Sequence, residues 1–155
     1  MGFVVRDYSS PNSKKVIIMS HFKIYKQSVK TVHGVADFVN ANGWTKSEES
    51  DDLAVKLKVA TLDLFEPAND ESLKVFNDAI SGGVLQVVGM IECDSPEDAF
   101  FATQSGDACW TTNKKVNVFH SNEDMFYNSA CTGDVFECIE TGVKYLTLAM
   151  GFQEF

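Results

Sequence analysis

No stretch of this sequence stays apolar for the roughly 18 to 20 residues that a bilayer crossing needs, so a membrane-spanning helix is excluded as a reading. The opening MGFVVRDYSS reaches Asp7 before any long apolar run has formed and lacks the pattern of a secretory leader. The expected compartment is cytoplasmic. The four cysteines, Cys93, Cys109, Cys131 and Cys138, include no CxxC pair, and no Asn-x-Ser/Thr sequon occurs. Free buried thiols are therefore expected, and not a disulfide framework or a zinc site. GxxxxGK[ST], GxGxxG, HExxH, GxSxG and the EF-hand loop are all missing. The common phosphate, zinc-protease and serine-hydrolase templates fall away with them, and neither a cofactor nor a metal is expected.

Basic charge is also scarce, with 13 Lys/Arg against 22 Asp/Glu for a net charge of −9. Residues 1–46 hold seven basic and two acidic side chains, a balance of +5, whereas residues 47–155 hold six and twenty, a balance of −14. A phosphate backbone requires a clustered basic surface, so nucleic acid is not an expected partner. The acidic region reads either as a solvated face that aids solubility or as a docking face for a basic protein partner.

What is present is an ordinary globular composition: 155 residues, 45% hydrophobic and 23% charged, enough chain for one domain with its own core. Twelve phenylalanines are the one excess, and they suggest a core or an interface built from aromatic rings. No repeat or linker divides the chain. The expectation is a single globular domain over 1–155, with 1–13 a loose N-terminal segment.

Residues 14–25, rich in β-branched and aromatic side chains, read as a strand. Ser28 caps a helix carrying Val32, Val35, Ala36, Phe38 and Val39 at helical spacing, which Gly43 ends. Leu53, Val55, Leu57 and Val59 alternate with Ala54, Lys56 and Lys58, the period of a half-buried strand. Asn69 or Asp70 starts a helix that Gly82 and Gly83 stop, and 84–93 follows as an apolar strand. Ser95, Pro96, Glu97 and Asp98 open another helix with a serine cap, a proline in the first turn and two acids near the positive helix end. Residues 114–121 read as a strand. From Asn122 the chain reads as helical, with Val135, Ile139, Gly142, Leu146 and Met150 along one stripe of a final helix. These elements predict an α+β sandwich of about four mostly antiparallel strands with helices on one face. The alternative is a three-layer α/β arrangement around a parallel sheet.

Gly83, Val84, Leu85, Val87, Gly89, Glu92, Asp94, Ser95, Pro96, Glu97, Asp98 and Ala99 resemble the strand-to-helix passage of dimeric α+β-barrel proteins of ferredoxin-like fold. The resemblance covers residues 83–99. It implies a homodimer whose sheets pair face to face around a small-molecule cleft, on a fold that hosts enzymes and non-enzymes alike.

Candidate chemistry rests on few residues. His21 and Tyr25 share one face of the first strand, and His120 lies on an otherwise apolar face of the 114–121 strand. If those strands are neighbours, His21, Tyr25 and His120 converge as candidate catalytic groups, with imidazole as general base. Packing with one hydrogen bond each explains the histidines equally. Phe100, Trp110 and Phe119 are the candidate ligand-binding aromatics, with core packing as the competing account. Cys93 sits among carboxylates that raise a thiol's pKa, which argues against a nucleophile. Two functions remain: a binding or regulatory domain that self-associates and captures a small ligand or protein, and a small cofactor-independent enzyme with a His/Tyr-lined aromatic cleft.

Overall fold

The computed structural model describes residues 19–119 and 128–155. The expected loose segment 1–13, the start of the first strand and His120 lie outside those residues. The first strand, β1 (His21–Lys26), leads into α1 (Val29–Glu48), capped by the Ser28 hydroxyl accepting from the Thr31 amide. Helical geometry breaks inside α1 at Gly43, where the sequence expects the helix to end.

Residues 53–59 do not form the expected strand. They belong to α2 (Leu53–Leu62), whose first turn is capped by the Asp52 carboxylate accepting from the Val55 amide. The reason lies in its surroundings. α2 is flanked by α1 and α3 (Asp70–Ser81) and also meets the sheet, so its apolar residues do not collect on one stripe. A helix buried on several sides loses its period of 3.6, and the remaining alternation imitates a strand.

β2 (Gln86–Glu92), α4 (Pro96–Ala102) and β3 (Val116–Val118) follow near their expected places, with an unanticipated 3-10 turn (Trp110–Thr112) between the last two. The C-terminal third is the second correction. Instead of a final helix it forms β4 (Val135–Cys138), β5 (Lys144–Thr147) and β6 (Phe152–Glu154). Gly142 and Gly151 hold φ of 72° and 80° in the two connections, a conformation that breaks a helix and closes hairpins. Val135 and Leu146, read as one helical stripe, are partners across β4 and β5.

The six strands form one sheet in the order β3-β2-β1-β4-β5-β6, and every pairing among the described residues is antiparallel. The described residues are thus α+β, with six strands where about four were expected and no parallel pairing among them. Helices on one face were also expected, yet both faces carry packed elements. Phe22 and Ile24, opposite Cys138 and Phe136, pack with Ala99 of α4 and Trp110 on one side. Tyr25, Val135 and Leu146 pack with Leu57 of α2 and Phe76 and Ala79 of α3 on the other. Alternation of side chains across the pleat produces the two cores.

Candidate functional site

At the end of the sheet, β1 runs out into α1 and residues 128–134 lead into β4. Lys26 follows Phe22 and Ile24 on the same strand face, which carries its side chain inward to 2% exposure. A buried ammonium requires compensation. Its Nζ donates to Asp134 Oδ2 at 2.5 Å, to the Ser129 carbonyl at 3.4 Å and to Asn128 Oδ1 at 3.5 Å. All three ammonium hydrogens are thereby committed. Asp134 Oδ2 also accepts the Cys131 amide at 2.9 Å and faces the Cys131 thiol at 3.7 Å. Burial pushes the Asp134 carboxyl above its ordinary value, against the pull of Lys26 and the Cys131 amide.

Above this pair lies a cleft of about 390 Å³. Val32, Val35 and Val39, at spacings of three and four on α1, form one wall, and Trp44 extends it beyond the break at Gly43. Only Val35 of these valines is fully buried, and Trp44 is 45% exposed. The helix stripe therefore faces an opening and is not closed onto core. Lys58 and Thr61 of α2 form the opposite wall. Gly133 lets the 128–134 segment approach α2: its φ is +92°, and a Cβ there would stand 2.8 Å from Thr61 Cγ2. Lys58 is exposed and makes no hydrogen bond or ion pair among the described residues. Desolvation of the sulfur, then the Asp134 carboxylate, push the Cys131 thiol above its ordinary value, which argues against an activated nucleophile.

The sequence candidates among the described residues sit elsewhere. His21 and Tyr25 do share a face, but each is engaged by its own carboxylate. His21 Nδ1 lies 2.8 Å from Glu140 Oε1, and the His21 amide donates to Glu140 Oε2 at 3.0 Å. Desolvation raises the Glu140 carboxyl, but the two His21 hydrogen bonds with smaller contributions outweigh it and leave the group below its ordinary value. Tyr25 donates to Glu137 Oε1 at 3.0 Å, and Lys23 Nζ approaches the same oxygen at 3.7 Å. Burial first, and Glu137 second, push the Tyr25 hydroxyl up to about 12. Convergence with His120 presupposed that β1 and the 114–121 strand are neighbours, whereas β2 lies between β1 and β3. Glu137 and Glu140, part of the acidic excess, are occupied by these internal partners.

Of the aromatics, Trp110 is 2% exposed and donates Nε1–H to the Asn128 carbonyl at 2.9 Å, while Phe100 stacks edge-on against Phe152 with centroids 6.2 Å apart. Phe119 is 46% exposed just after β3. None of the three lines the cleft. Cys93 is buried, and desolvation, with Asp98 and Asp94 adding to it, pushes its thiol up to about 12. No group of three or more His, Cys, Asp or Glu side chains suited to a metal ion occurs among the described residues. No described helix is long and apolar enough to cross a membrane.

The residues that sequence reasoning missed are Lys26, Lys58 and Asp134. One signal was available: Lys26 continues the Phe22–Ile24 face at i+4, and a lysine on an apolar strand face needs a partner. Comparison of the chain with protein-family models, with curated proteins and with solved structures finds no match in any of the three.

Proposed function

We propose that this chain is a small-ligand-binding domain and that the cleft between α1, α2 and the 128–134 segment is its capture site. The observation that carries the reading is the open Val32–Val35–Val39 stripe above a charge-neutralised pair. A cleft of this size falls within the roughly 300–1,000 Å³ range of small-molecule sites, and it combines an apolar wall with a few convergent polar groups. A ligand that covers the stripe gains roughly 25 cal/mol for each Å² of apolar surface withdrawn from water.

Catalysis has less support. Tyr25 and Cys131 are both pushed upward, away from the neutral range where proton transfer or thiolate attack is effective. The His21–Glu140 pair has the chemistry of an oriented base, but it does not line the cleft. Self-association belongs to the same proposal. Because both sheet faces carry packed elements, it would not be the face-to-face pairing that the resemblance implies but an assembly at the edge strands β3 or β6.

Native mass spectrometry of freshly purified protein, followed by titration with an apolar fluorescent dye, tests the reading. A retained small adduct or saturable dye binding is expected, with both lost in Val39→Asp while the thermal midpoint holds. Dye binding that is equal in wild type, Val39→Asp and Trp44→Ala would remove the cleft from consideration. The same spectrum reports whether the protein is a dimer.

A further inference from the structure

We infer that the cleft selects an amphipathic monocarboxylate, held with its head at Lys58 and its chain along Val32, Val35 and Val39. This rests on the ligand-capture reading above. Among the described residues three charged side chains line the cleft: Lys26, Lys58 and Asp134. Lys26 and Asp134 cancel one another at 2.5 Å, and the hydrogens of Lys26 are fully committed. What remains is the single positive charge of Lys58, on a chain whose net charge is −9.

The placement is informative because most of the other α2 charge is not available in this way. Lys56, two residues earlier, lies 4.0 Å from Asp51 and does not line the cleft. Asp52 is used as the helix cap. Among the described residues Lys58 thus shares the cleft lining with an apolar stripe and has no counter-ion, the arrangement that fits an anion joined to a hydrocarbon body. A cationic amphiphile would meet an uncompensated like charge at the same point, and a neutral one would leave Lys58 unmatched. Gln27, Asn40 and Thr132 add hydrogen-bonding capacity in the same lining without adding charge.

Calorimetric titration of the full chain with decanoate, decan-1-ol and decyltrimethylammonium, each below its aggregation concentration, separates the possibilities. Decanoate is expected to bind about fivefold more tightly than decan-1-ol, the size of one partly exposed ion pair, and the cation most weakly. Shortening to octanoate is expected to weaken binding about fourfold for each methylene removed. Lys58→Gln should reduce decanoate to the level of decan-1-ol and leave decan-1-ol unchanged. If decan-1-ol or the cation binds as well as decanoate, or if Lys58→Gln leaves decanoate binding intact, the anionic class is overturned while the capture reading stands. If none of the three binds, the capture reading fails and takes this inference with it.

Discussion

Tyr25 shows at the residue scale how a side chain acquires a property that its type does not have. On the same strand, Phe22 and Ile24 point to one core and Tyr25 to the other, so its ring is buried and its hydroxyl reaches Glu137. Folded Tyr25 keeps its proton up to about pH 12, whereas the ordinary value is 10.0. Between those values the unfolded chain has released a proton that the folded chain retains, so the stability associated with this group falls as pH rises through the window. Tyr25→Phe should therefore lose less stability than wild type between pH 10 and 12, although it starts about 1 kcal/mol lower for want of the hydrogen bond to Glu137. Urea unfolding at a series of alkaline pH values measures both effects, and parallel curves for the two proteins would refute the assignment.

At the scale of elements, three helix starts were legible because capping is local chemistry. Ser28, Asn69 and Ser95 each accept a hydrogen bond from a backbone amide within the next three residues, as their types and positions predict. Asp52 does the same for α2 and was overlooked, because the alternating Leu53–Val59 pattern pointed the other way. The 128–134 segment depends on a different feature, the close approach of Gly133 to Thr61. Gly133→Ala adds a Cβ at 2.8 Å from Thr61 Cγ2 and places a side-chain residue at φ +92°. It is expected to cost about 1–2 kcal/mol from the backbone alone, and more from the clash, in a chemical denaturation experiment. Adding Thr61→Ser removes the Cγ2 and should restore part of the loss but not the backbone share. Equal stability of the single and double variants would show that the contact is not the constraint.

For the whole molecule, the sheet separates two cores, and the twelve phenylalanines serve unequal ends. Phe136 lies on the inner strand β4, fully buried, with Phe152 edge-on at 6.1 Å. Phe65 is 85% exposed. Phe136→Ala should destabilise the fold by about 3–5 kcal/mol, while Phe65→Ala should stay within about 0.5 kcal/mol of wild type. Thermal melts of the two variants test this, and similar midpoints would mean that the β1–β4 core does not hold the molecule together. The difference between the two residues is invisible in composition. It is set by which phenylalanines the strand order brings to the centre.

The sequence by itself determined the α+β class, the caps of α1 and α4, the start of α3 to within the pair Asn69–Asp70, the inner strand β2 and the argument against an activated Cys93, because each depends on neighbours within a few residues. Tertiary structure decided the rest. α2 became a helix because three neighbours bury it from different sides, and β4–β6 became strands because β1 offers Phe22 and Ile24 as partners for Cys138 and Phe136. The cleft belongs wholly to this second level. Lys26 and Asp134 are 108 positions apart, and only the antiparallel pairing of β1 with β4 brings the ammonium to the carboxylate beneath an α1 stripe left open.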